Sequence, residues 1–184
     1  MSLNEPKNCY FITTMCRQHN HYFESVRARE ILCNTLLNCN ALHDADMLGY
    51  VIMPNHVHIV LRIADKERLI RYMHSFKTYS SAAIRQLLLM EDPVHALMLA
   101  YHKKRQKYKV WEDGYHYKEV ITAGFLQQKL EYIHQNPLQE KWKLAVRPED
   151  YRFSSAGYYY TGRQGVMEVA HYTRFFEPET RVIR

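Results

Sequence analysis

At 184 residues the chain falls near the usual size of one domain and is long enough to bury a core. Hydrophobic residues make up 47% and charged residues 24%, with only six Gly and six Pro, a balance that excludes a disordered chain and leaves little room for long linkers. Lys and Arg outnumber Asp and Glu by 25 to 19, a net charge of +6 that favours an anionic partner such as nucleic acid.

The N-terminal MSLNEPKN carries no apolar core or cleavage-site pattern, and no stretch approaches the roughly 18 to 20 apolar residues that would cross a bilayer. A soluble cytoplasmic protein is expected. NCYFITTM, residues 8–15, is rich in aromatic and β-branched residues and predicts a first strand. Ser25 stands where an N-cap would, ahead of Val26, Ile31, Leu32 and Leu36, so a first helix is expected to run to about Cys39. Cys9, Cys16, Cys33 and Cys39 form no C-x-x-C pair, and reduced, partly buried thiols are expected. MLGYVIM and HVHIVLRI, separated by Pro54-Asn55, predict an antiparallel hairpin with Pro in the turn, where its missing N–H does no harm.

After Asp65, the spacing of Leu69, Met73, Phe76, Ala83 and Leu87 predicts a long second helix that Asp92-Pro93 ends. AYHKKRQKYKVW is basic and aromatic without a clear period and reads as irregular chain or short helix. A fourth strand is expected within Tyr115 to Ile121, and Thr122 can cap a third helix carrying Phe125, Leu126, Leu130 and Ile133 up to Asn136-Pro137. The order strand, helix, strand, strand, helix, strand, helix predicts an α+β fold of ferredoxin-like βαββαβ type, an antiparallel sheet with helices on one face. Residues from about Trp142 onward are expected to form a C-terminal extension of the same single domain.

On the third strand, His56 and His58 are two residues apart, so both imidazoles point to one face while Val57 points to the other. Two imidazoles with Cα atoms roughly 6 to 7 Å apart can converge on one metal ion. Taken alone such a pair is common by chance, and the commoner reading is a polar row on a solvated face. Tyr132 and Asn136, four apart, share a helical stripe bordering the apolar one, where a phenol can act as nucleophile and an amide oxygen as third ligand. Each also has a structural reading: an amphipathic residue at the core edge for Tyr132, and for Asn136 the N-cap of a helix with Pro137 at its first position.

GYVIMPNHVHIVL, then LEYIHQNP, then PEDYRFSSA together resemble the single-tyrosine HUH transposases (IS200-like), in the branch of REP-associated tyrosine transposases. The resemblance covers roughly residues 8 to 160. It implies that His56 and His58 are metal ligands, that Tyr132 is the nucleophile and that Asn136 completes the metal site. It further implies Mg²⁺ or Mn²⁺ as the working ion, a DNA hairpin with an adjoining single strand as substrate, and a monomer or homodimer. Two rival readings are a non-catalytic nucleic-acid-binding module of ferredoxin-like fold and a replication-initiator type of HUH nuclease. The basic stretch HKKRQKYK, with Lys103, Lys104, Arg105, Lys107 and Lys109, is a candidate DNA contact, as is Lys129 one turn before Tyr132.

Overall fold

The computed structural model describes residues 7–103 and 106–176, and at residues 102, 103 and 106 the backbone alone. Strand β1 (Asn8–Met15) leads to helix α1 (Val26–His43), which Ser25 caps by accepting the Ala28 N–H at 3.1 Å. Strands β2 (Asp46–Ile52) and β3 (His56–Ile63) form the expected hairpin, with a bulge between Met47 and Gly49. Helix α2 (Lys66–Glu91) starts at Asp65, whose carboxylate accepts the Arg68 N–H at 2.7 Å. A short helix α3 (Pro93–Leu97) follows at once. Strand β6 (His116–Glu119) comes later, then helix α4 (Ala123–Gln135), capped by Thr122. Helix α5 (Ala156–Thr161) lies in the C-terminal segment.

The four-stranded sheet has the order β2-β3-β1-β6, antiparallel throughout, which is the ferredoxin-like arrangement. The helices divide between its faces, whereas the sequence reading put them on one. Lys66, at the start of α2, lies over Tyr117, and Tyr50 faces Cys33 of α1; both tyrosines project on the side of Ile12 and Ile59. Helix α4 crosses the other side. Its Leu130 and Ile133 close on Gly49, which pairs with Val60 and so faces the side of His58. Both faces of β3 are therefore covered, and every β3 residue except His56 and Arg62 is buried.

Other elements differ from expectation for clear reasons. Residues 100–108 form a two-stranded ribbon, β4 (Ala100–Lys103) against β5 (Gln106–Tyr108), in place of irregular chain or short helix. In α2 the buried stripe runs through Ser80, Ile84 and Leu88, leaving Ala83 and Leu87 half-buried. Ser80 is tolerated in the core because its hydroxyl accepts the Trp111 indole N–H at 3.0 Å and donates to the Phe76 carbonyl. All four cysteines are buried free thiols. Among the described residues no helix is long and apolar enough to cross a membrane.

The C-terminal segment covers the free edge of β2. Ile52 donates to the Phe153 carbonyl at 2.9 Å, Ser155 to the Tyr50 carbonyl at 2.9 Å, and Ala170 to the Met47 carbonyl at 2.9 Å. Those bonds satisfy edge groups that would otherwise invite pairing with another chain. The motif PEDYRFSSA is thus a strand-edge clamp. Its Tyr151 hydroxyl adds a bond to the Ile52 carbonyl at 2.7 Å. Tyr159 is spent the same way, on the Leu48 carbonyl at 2.7 Å, while Tyr160 remains exposed.

Candidate functional site

The hairpin turn places His56 at the head of β3, and period two returns His58 to the same face. Their ring centroids lie 4.8 Å apart. Asn55 decides which nitrogen of His56 is open. Its amide nitrogen donates to the His19 carbonyl at 3.1 Å, so its oxygen is the atom that meets His56 Nδ1 at 2.7 Å. Nδ1 therefore carries the proton and Nε2 keeps its lone pair. His58 Nδ1 is occupied by the Thr13 hydroxyl at 2.7 Å, and its Nε2 is buried without a hydrogen-bond partner.

Such an orphaned polar atom costs about 1–3 kcal/mol when nothing binds it. Burial also holds both imidazoles neutral: the His58 pKa falls to about 3 and that of His56 to about 4, with a hydrogen bond that His56, when protonated, donates to the Asn136 side chain pulling it the other way. Neutral imidazoles whose second nitrogens are anchored are the form in which histidine ligates a metal. Among the described residues no three His, Cys, Asp or Glu side chains cluster as a metal site. A donor of another type stands beside the two imidazoles, the side-chain amide of Asn136. It is 3% exposed, and its amide nitrogen donates to the Tyr132 carbonyl at 2.9 Å, which leaves the oxygen on the side of His56. The donor set of two imidazoles and an amide oxygen fits a divalent ion.

Helix α4 brings Tyr132 over His58, with ring centroids 5.3 Å apart, and edge-on to Phe11 at 6.1 Å. At 46% exposure the phenol is open to a large substrate, unlike the core tyrosines Tyr50 and Tyr72. His58 is fixed from below by the parallel Phe11 ring at 5.6 Å. Trp142, the first residue of the expected extension, packs on His56 at 5.7 Å. His134 turns away from Tyr132 into the core, where its Nε2 meets the Ser155 hydroxyl at 2.8 Å.

The structure thus brings His56, His58, Tyr132 and Asn136 together and places Lys129 beside them. The other proposed cations are elsewhere. Lys104 and Arg105 lie outside the described residues, as does the side chain of Lys103. Lys107 is exposed on β5. Lys109 departs from a solvated DNA contact: it is buried at 7% exposure, and its ammonium pairs with Asp113 at 2.6 Å. Sequence reasoning missed Thr13, Asn55 and Trp142. Only Asn55, adjacent to the H-V-H pair, carried a signal.

The fold is shared with solved structures. A REP-associated tyrosine transposase bound to a REP hairpin aligns with a TM-score of 0.63 at 13% identity, over 100% of this chain and 98% of that one. A candidate transposase of Deinococcus radiodurans aligns with a TM-score of 0.50 at 13% identity, over 73% of this chain and 95% of that one. No curated protein matches the sequence. The model of the family described as "Transposase IS200 like" matches residues 7–136, which span β1 to Asn136 and include both histidines and Tyr132, and the chain accordingly belongs to the IS200-like transposase family.

Proposed function

We propose that this transposase is a strand-transferring nuclease of the REP-associated type, acting on hairpin DNA beside an adjoining single strand. Tyr132 attacks a backbone phosphorus. The phenolic oxygen forms a bond to phosphorus as the bond to the 3′ oxygen breaks; the phenol gives up its proton and the departing oxygen takes one up. The products are a 5′-phosphotyrosine and a free 3′-hydroxyl, and the retained phosphodiester permits rejoining. His56, His58 and Asn136 hold the divalent ion, Mg²⁺ or Mn²⁺, which when bound polarises the phosphate and stabilises its developing charge.

One observation carries this reading: two neutral imidazoles with anchored Nδ1 atoms, an amide oxygen and a half-exposed phenol converge from β3 and α4. A pure binding module has no use for a buried, unpartnered imidazole nitrogen. The hairpin bound by the structural relative supports the choice of DNA partner. Because Tyr132 meets His58 of its own chain, a monomer can carry the site in cis.

The test is incubation with an end-labelled hairpin oligonucleotide and Mn²⁺. The wild type is expected to give an SDS-stable protein–DNA adduct, and Tyr132→Phe none. His56→Ala and His58→Ala are expected to lose metal-dependent cleavage by about 100-fold or more. An adduct that survives in Tyr132→Phe sinks the assignment.

A further inference from the structure

Helix α4 and strand β6 flank an open cavity of about 470 Å³. Tyr132 and His58 line it, whereas His56 and Asn136 do not, so it lies on the β6 side of the tyrosine. The register of the sheet decides which side chains enter. Thr13 pairs with His58 on one side and with His116 on the other, and Phe11 pairs with Lys118. Residues directly opposite share a face, so His116 and Lys118 project on the side that carries His58 and Tyr132. Lys129 enters from the helix above. Its ammonium stands 4.8 Å from the centre of the Phe125 ring, 5.4 Å from Phe11 and 6.0 Å from Tyr132.

No carboxylate lines this cavity among the described residues. Lys129 is therefore oriented by rings and not neutralised by an acid, which leaves its charge to a ligand. Two lysines beside an aromatic wall are the pairing that single-strand grooves use: cations for phosphate and ring faces for bases.

The geometry points to a subsite here for one nucleotide of single-stranded DNA. Lys118 and Lys129 hold the phosphodiester that adjoins the attacked one, and the Phe11 and Tyr132 rings meet its base. The assignment rests on the strand-cleavage reading for the position of the attacked bond, but capture of a nucleotide by the cavity does not require cleavage.

Binding of fluorescein-labelled hexathymidylate, measured in EDTA over a range of KCl concentrations, tests the subsite without any divalent ion. Lys129→Met and Lys118→Met are each expected to weaken binding about ten-fold, as loss of one charge-assisted contact does. Each should also flatten the slope of log K against log salt by about 0.7, the loss of one single-strand phosphate contact. Lys129→Arg keeps the charge and is expected to stay within about three-fold of the wild type. Wild-type affinity and slope in both methionine variants would overturn the subsite, as would absence of hexathymidylate binding by the wild type. A missing phosphotyrosine adduct alongside intact lysine effects counts against strand cleavage and for the subsite.

Discussion

His56 keeps an open Nε2 only because Asn55 is itself held, its amide nitrogen spent on the His19 carbonyl. Losing that support frees the ring to rotate and to exchange tautomers. Asn55→Ala is therefore expected to weaken Mn²⁺ binding about 10- to 100-fold, as loss of an outer-shell partner does. Calorimetric titration with Mn²⁺ checks this, and an unchanged affinity would remove the orienting role. Thr13 is the equivalent support for His58. The grouping of the candidate site residues was legible because two periods operate on them: period two aligns His56 with His58, and 3.6 aligns Tyr132 with Asn136. Thr13 was not legible. It lies 45 positions from His58, and only the pairing of β1 with β3 brings the two side by side.

At the scale of elements, the distance between α4 and the sheet sets whether phenol and imidazole meet. A Cβ added at Gly49 would stand 2.4 Å from a Leu130 methyl and 3.3 Å from one of Ile133, so glycine is what lets the helix settle this closely. Gly49→Val is expected to cost about 1–3 kcal/mol of stability by overpacking. It should also lower adduct formation under conditions where the variant is still fully folded, because Tyr132 rides on the displaced helix. Urea denaturation and the adduct assay read the two effects separately; a full loss of stability with unaltered cleavage in the folded fraction would refute the coupling. Helices α1, α2 and α4 were readable because a capping Ser, Asp or Thr precedes an apolar stripe in each. The ribbon of β4 and β5 was not, since neither strand alternates apolar with polar residues and Lys and Gln carry little strand preference. The division of helices between two faces was equally hidden, because an amphipathic stripe names a buried side and not the partner it faces.

For the molecule as a whole, the C-terminal segment and α4 are tied by His134 and Ser155 in the core. Three buried imidazoles result: burial lowers the pKa of His134 to about 4, of His56 to about 4 and of His58 to about 3. In the unfolded chain each titrates near 6.5. Between the two values the unfolded state binds more protons, so stability is complete above about pH 6.5 and drains as the pH falls toward 4. The three losses act in the same direction as the pH falls. Acid unfolding is therefore expected to set in below about pH 5. Urea midpoints at pH 7.5 and pH 5.0 should differ strongly in the wild type, and the difference should shrink in His134→Gln, which cannot take up a proton. Excess Mn²⁺ separates the remaining two imidazoles from the first. An ion bound at His56 and His58 stabilises the folded state at neutral pH and is expelled by protons in acid, so it should widen the gap between the two midpoints. The share that belongs to His134 should be the same with and without the ion, because its Nε2 faces Ser155 in the core. A His134→Gln effect that vanished in Mn²⁺ would mean that His134, and not the H-V-H pair alone, answers to the metal.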